Sequence, residues 1–298
     1  MRSPTPFDPP AGVVADRVAL ALAEDLEPLG DVSAALLDPM RRVTATIASR
    51  ATGVLAGVAC ADETFARVDP AIAVTWHAVD GDAVEPGTRC ATVAGSLASI
   101  ATAERTALNF LGHLSGIATS TRLHVSEALG QVTVWDTRKT TPGLRALEKA
   151  AVRAGGGRNH RGNLSEWVMI KDTHLSVTSI ADAVAAARDR WPGKTVEVEC
   201  DSLDQVREAL DAGVDLVLLD NMTPVETREC VLAAEEHAAG HDRRPLLEAS
   251  GGISLEVVRA YAATGVDLVS IGALTNSAPI LDLGLDIDTD EGSQPCSS

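Results

Sequence analysis

The chain has 298 residues and a mass of 31.0 kDa, with 45% hydrophobic and 22% charged residues and a formal net charge of −17. Four Trp, three Phe and one Tyr are too few to build stacking platforms for single strands, and so acidic a chain is a poor partner for nucleic acid or an anionic membrane surface. Cys60, Cys90, Cys200, Cys230 and Cys296 form no CxxC pair, which argues against a disulfide framework or a structural zinc site. The opening MRSPTPFDPPAG has no apolar signal core and no run of 18 apolar residues follows, so a reduced cytoplasm is the expected compartment.

The first 12 residues, with four prolines, and the closing DIDTDEGSQPCSS read as tails. Residues 13–24 have apolar spacing suited to a helix. From Val43 to Ala101 the pattern changes to short β-type runs, VTATIAS, GVLAGVA, IAVTWHAV and CATVAGS. Turn signals at Asp80-Gly81-Asp82 and Pro86-Gly87 separate them, which predicts a small antiparallel sheet. Ala103, Ala107, Phe110, Leu111, Leu114 and Ile117 then keep a helical period.

After about residue 130 strands and helices alternate. The apolar strands are VTVW, WVMI, TVEVEC, DLVLL, PLLEA and DLVSI. Ile180, Val184, Ala187 and Trp191 line one intervening helix, and Leu203, Val206 and Leu210 line another. Ala212-Gly213 and Thr264-Gly265 stand where a helix stops before the next strand. Repeated βα units imply a parallel sheet, open or closed into a barrel. Polar residues after every strand (Asp136–Lys139, Lys171-Asp172, Glu199–Asp201, Asp220-Asn221, Ser250–Gly252 and Gly272) favour the barrel, whose active sites lie on that face. A doubly wound sheet is the alternative.

Between Asp136 and Lys171 eight basic residues oppose only three acidic ones, a net of +5 inside a chain that is otherwise −22. Arg145, Lys149 and Arg153, four apart, read as a solvated helix face. Arg138, Lys139, Arg161, Lys171 and His160 instead form a candidate cationic pocket, suited to a substrate with more than one acidic group. Glu199 and Asp220, ending consecutive strands, could hold Mg²⁺ through oxygen ligands or accept from ribose hydroxyls. Ser250, Gly251, Gly252 and Gly272 offer bare backbone N–H groups to a phosphate. As one site these residues describe group transfer at a phosphorylated sugar.

The segments ERTALNFLGHLSGIAT, DTRKTTPGLRALEKAAVRAGGGRNHR, VMIKDTHL, VEVEC, LLDNM, EASGGI and GVDLVSIGALTNSAP resemble the quinolinate phosphoribosyltransferase family, from about Ala21 to Asp282. The resemblance implies an α/β fold: an N-terminal domain with an antiparallel sheet at 13–117, joined by 276–288, and an incomplete parallel α/β barrel at 118–275. It implies transfer of phosphoribosyl from phosphoribosyl pyrophosphate to quinolinate with decarboxylation, in a homodimer with shared active sites or a hexamer built from it. Arg105 would enter the neighbouring subunit's site. Arg138, His160, Arg161 and Lys171 would contact quinolinate, with Lys139 near both substrates. Glu199 and Asp220 would contact phosphoribosyl pyrophosphate and its Mg²⁺, and Lys139, Lys171, Glu199 and Asp220 carry the catalytic assignment. Ser250, Gly251, Gly252, Gly272 and Asn276 would hold the 5′-phosphate. Two positions depart from the family pattern: Thr173 in IKDTH and Asn276 in ALTNS stand where the family usually has Asn and His. The competing readings are a transferase of the same fold acting on another ring without decarboxylation, an aldolase using Lys171 as a Schiff base, and a non-catalytic phosphosugar-binding protein.

Overall fold

The computed structural model describes residues 5–241 and 243–288. In chain order they form α1 (Ala11–Leu26), β1 (Arg42–Ser49), β2 (Gly53–Val54), α2 (Val58–Val68), β3 (Ala73–Trp76), β4 (Ala83–Val84), β5 (Arg89–Ser96) and the long α3 (Leu97–Glu127). There follow β6 (Thr133–Trp135), α4 (Arg145–Ala154), β7 (Val168–Ile170), α5 (Asp172–Leu175), α6 (Ile180–Arg190), β8 (Val196–Cys200) and α7 (Leu203–Asp211). The last elements are β9 (Leu216–Asp220), α8 (Pro224–Ala238), β10 (Leu246–Ser250), α9 (Val258–Ala262), β11 (Leu268–Ser270), α10 (Ala273–Asn276) and β12 (Leu283–Ile287). They divide into two compact units. One takes the residues up to Thr119, Ala146–Gly155 and those from Ala278 onward; the other takes Ser120–Arg145 and Gly156–Ser277.

The first unit carries an antiparallel sheet in the order β12-β1-β5-β3. Ile47 and Val93 from its strands meet Leu55, Phe65, Ile100 and Leu111 in a core closed to solvent. The run GVLAGVA is strand only at Gly53–Val54; Gly57 turns left-handed at φ 96° and Val58 opens α2. The Asp80 carboxylate accepts the Val58 N–H at 3.1 Å, satisfying a donor of the new helix's first turn. The closing tail also begins later than its composition suggests, because Asp286 and Ile287 pair with Thr46 and Ala45.

The second unit holds six parallel strands in the order β6-β11-β10-β9-β8-β7. Chain neighbours from β7 to β11 are sheet neighbours with no reversal of order. That is the winding of a barrel, and a doubly wound sheet would switch direction. Among the described residues β6 and β7 do not pair, so the barrel is incomplete. Trp135 is in register with Ser270, Ser270 with Ser250, and Ser250 with Asp220, which aligns the carboxyl ends on one rim. Gly213 and Gly265, at φ 73° and 85°, end the turns after α7 and α9 as their positions predict. Trp191 leaves its predicted stripe: α6 stops at Arg190, and the indole is 52% exposed with the Arg190 guanidinium above it.

The basic row on α4 is a second correction. Lys149 is buried. Arg153 donates to the carbonyls of Lys149 and Phe7 within the first unit. Within the second, Arg145 donates to the Thr140 hydroxyl and to the carbonyls of Arg138 and Gly162. The two arginines thus tie separate segments together and Lys149 is covered, so the row is not one solvated face.

Candidate active site

The cationic side is assembled by backbone pairing at the end of β6. The Arg158 N–H donates to the Val134 carbonyl at 2.9 Å and the Asp136 N–H to the Arg158 carbonyl at 3.2 Å. This bridge lays Asn159, His160 and Arg161 beside residues 136–138. The fully buried Asp136 carboxylate locks the join, accepting from the Asn159 amide at 2.6 Å and the His160 N–H at 2.9 Å.

Arg161 is buried; its Nη1 makes a long contact to the Trp167 carbonyl at 3.4 Å, and its Nη2 donates to the weak acceptor Met169 Sδ at 3.1 Å. The Nε atoms of Arg161 and Arg138 are both buried without a hydrogen-bond partner. Burial, and then the Arg138 charge, pull Arg161 below the usual arginine value, while Glu197, Glu166 and Glu199 oppose the shift. Each of the two guanidinium groups therefore keeps a buried N–H without an acceptor. Lys171, at the end of β7, directs its ammonium to Glu199 Oε2 on β8.

The opposite side is built from β9, β10 and the turn after β11. Asp220 ends β9, and its Oδ2 accepts the Asn221 amide at 2.8 Å. Gly251 and Gly252 follow β10 in left-handed conformations, φ 97° and 60°. A Cβ on Gly272 would sit 3.0 Å from Lys139 Cδ and 3.6 Å from both the Asn276 amide nitrogen and the Thr137 hydroxyl. The missing side chain thus leaves a cradle facing one cation and two hydrogen-bonding groups. Thr275 Oγ1 donates to the Lys139 carbonyl at 2.8 Å and holds that wall in place.

Glu199 and Asp220 supply hard oxygen donors, each with one oxygen engaged in the described contacts and one not. Neither belongs to a cluster of three or more ligating groups among the described residues. That donor set fits a Mg²⁺ ion whose remaining ligands arrive with a polyphosphate substrate.

His160 sits apart from the rim. Its ring lies inside the barrel, edge-on to Trp135 and Trp167, with Nε2 3.4 Å from Glu197 and 3.7 Å from Glu248. The Trp167 Nε1–H donates to Glu197 Oε2 at 2.7 Å. Both glutamates are fully buried. Burial, with the charges of Glu197 and Asp136, raises Glu248 well above the usual carboxylate range, and the Ser270 hydroxyl opposes this only in part. The strand-end pattern includes Asn221, and the cationic set includes His160, but neither singles out Glu197 or Glu248. A usable signal was present, since Glu197 and Glu199 alternate with valines in VEVEC and must share one face of β8.

Arg105 lies exposed on α3 in the first unit. Thr173 is exposed on α5, its N–H bound to its neighbour Asp172, and Asn276 accepts from the Ser277 hydroxyl.

A parallel barrel whose strand ends gather two arginines with unpartnered N–H groups, two carboxylates and a glycine cradle has the make-up of barrel enzymes acting on anionic, phosphorylated substrates. Residues 31–115 match the N-terminal domain, and residues 117–286 the C-terminal domain, of quinolinate phosphoribosyl transferase. The nicotinate-nucleotide pyrophosphorylase (carboxylating) of Mycobacterium leprae is 43% identical over 279 residues, 91% of this chain and 96% of its own length. The chloroplastic enzyme of that name from Arabidopsis thaliana is 40% identical over 287 residues, 92% of this chain and 82% of its own. The solved nicotinate-nucleotide pyrophosphorylase of Francisella tularensis superposes with a TM-score of 0.88 at 36% identity, covering 96% of this chain and all of that one. The chain belongs to the quinolinate phosphoribosyl transferase family.

Proposed function

We propose that this chain transfers the phosphoribosyl group of phosphoribosyl pyrophosphate to the ring nitrogen of quinolinate, with loss of CO₂, giving nicotinate mononucleotide and pyrophosphate in the synthesis of NAD. The observation that carries the reading is the Arg138–Arg161 pair, a half-buried and a buried arginine whose Nε atoms are both buried and find no partner among the described residues. A ring with two adjacent carboxylates supplies the acceptors they lack, and Lys171 adds a third cation.

The protein's work is to hold two anions together. The arginines fix the ring in one plane, while Lys139, Gly272 and the Ser250–Gly252 turn seat the sugar phosphate, so that the nitrogen faces C1 of the ribose. Mg²⁺, held by Glu199 and Asp220, would supply charge neutralisation to the departing pyrophosphate. Once bonded to ribose, the ring nitrogen is cationic and stabilises the electron pair left on the adjacent carbon as its carboxylate departs as CO₂. Protonation of that carbon completes the product. Arg105 enters from a second subunit of a homodimer in this reading. The compartment assigned is the cytoplasm, in keeping with four buried cysteines held as thiols. No helix among the described residues is long and apolar enough to cross a membrane.

Incubation with quinolinate, phosphoribosyl pyrophosphate and Mg²⁺ tests the reading. Nicotinate mononucleotide, pyrophosphate and CO₂ should form in equal amounts. Efficient turnover of nicotinate with no CO₂ released would overturn it in favour of a transferase acting without decarboxylation.

A further inference from the structure

Asn221 occupies a backbone conformation that its residue type adopts only at a cost, and its polar contacts point toward the phosphosugar side of the barrel. Its φ of 55° lies in the left-handed region, where glycine is the residue of least strain. Such strain persists where the surrounding structure enforces it and commonly accompanies function.

Two hydrogen bonds and one close approach show what holds Asn221 there. Its N–H donates to the carbonyl of Ser250, the last residue of the neighbouring β10, at 2.8 Å. Its side-chain amide donates to Asp220 Oδ2, also at 2.8 Å, and so fixes the plane of that carboxylate. A Cβ placed on Gly251 would lie 2.2 Å from Asn221 Oδ1 and 2.9 Å from its backbone nitrogen. The first glycine of the Gly251-Gly252 turn is therefore bare to make room for Asn221. The next residue is tied down as well, since the buried Tyr261 hydroxyl donates to the Met222 carbonyl at 2.9 Å.

A glycine at 221 would make the turn with less strain. What it could not do is hold the Asp220 carboxylate, and the side chain is the part of Asn221 that accounts for the space at Gly251. We propose that Asn221 is a positioning residue for the phosphosugar half of the site. It presents the second oxygen of Asp220 to the ribose or its bound cation, and it sets the Gly251-Gly252 phosphate turn at a fixed distance from β9. The inference rests on the reading above that Asp220 faces phosphoribosyl pyrophosphate.

Asn221→Gly keeps the left-handed backbone and removes the amide. Asn221→Asp keeps the shape and places a carboxylate where a donor stood. Asp220→Asn is the control for the underlying reading. Each variant is compared with the parent by melting temperature, by calorimetric titration of phosphoribosyl pyrophosphate with Mg²⁺, by a separate titration of quinolinate, and by the KM for each substrate with the other saturating. Both Asn221 variants should melt within a few degrees of the parent. They should lose about 10-fold or more in affinity for phosphoribosyl pyrophosphate, the effect of losing one hydrogen bond to a charged group. Quinolinate affinity should stay within about twofold of the parent, since nothing on the arginine side has changed. If Asp220→Asn weakens sugar binding while both Asn221 variants bind it normally, the positioning role is overturned and the reading of Asp220 stands. Equal losses for both ligands would reduce Asn221 to a general structural part and overturn the role too. Normal sugar binding by Asp220→Asn would overturn the assignment of Asp220 itself, and with it any role of Asn221 that acts through it.

Discussion

Lys171 and Glu199 meet across the carboxyl ends of β7 and β8, the ammonium donating to Oε2 of the carboxylate. In the proposed reading the pair would join the dicarboxylate half of the site to the phosphosugar half. The pairing balances Lys171, and it does not by itself tell that role from the proposed contact to the phosphosugar.

Substitution does. Glu199→Gln removes a negative charge beside the quinolinate pocket and frees Lys171, so quinolinate affinity should be unchanged or higher. Affinity for phosphoribosyl pyrophosphate with Mg²⁺ should fall, and turnover should drop by about 10²-fold, the usual cost of losing an oriented charged contact at a reacting centre. Separate titrations and kcat decide the point. Weakened quinolinate binding with normal sugar binding would assign Glu199 to the other substrate.

Arg105 is exposed on α3, and its proposed role needs a second subunit. Arg105→Ala and Arg138→Ala should each be nearly inactive. Mixed in equal amounts under conditions that exchange subunits, they should recover about a quarter of the parent activity, because half the dimers are hybrids and each hybrid has one intact site. Demonstrated exchange with no recovery would leave Arg105 as a surface charge.

Glu248 makes stability depend on pH. The usual carboxylate value is 4.5, and in the fold burial, Glu197 and Asp136 raise it well above that, with His160 3.7 Å away and Ser270 opposing. Between 4.5 and the raised value the native state holds a proton that the unfolded chain has released, so stability falls as pH rises through that window. Glu248→Gln is neutral throughout. The parent should therefore lose stability relative to this variant, by up to about 1.4 kcal/mol per pH unit above pH ~4.5. Parallel denaturation profiles for the two proteins would show that Glu248 is ionised in the fold.

Gly251 and Gly252 separate backbone strain from crowding. A Cβ added to Gly252 would meet nothing within 4 Å, so Gly252→Ala should cost only the left-handed penalty, about 1 kcal/mol. Gly251→Ala carries that penalty and a collision with Asn221 at 2.2 Å, so its cost should be larger, about 2 kcal/mol or more. Denaturant midpoints of the two variants provide the comparison, and equal midpoints would mean that Asn221 yields freely.

Much of this was legible in the chain before it was folded. The strand and helix periods, the glycines at 213 and 265, and the polar residues after each strand depend on neighbours within a few positions, and local sequence carries such information. Arg138, Lys171, Asp220 and the Ser250–Gly252 turn were legible as strand-end residues because parallel strands bring their carboxyl ends to one rim. Tertiary structure decided what depends on distant partners. The run at 53–59 became a helix start because Asp80 caps it, and Lys149 is buried despite its charge. His160 turned inward because Glu197 and Glu248, from β8 and β10, meet inside the same barrel. Asn221 took a strained conformation because Ser250 and Gly251 of the next strand leave it a partner and a space. Spacing along the chain reports which residues share a face. Which faces meet is set by strand order and closure, through contacts between residues tens of positions apart.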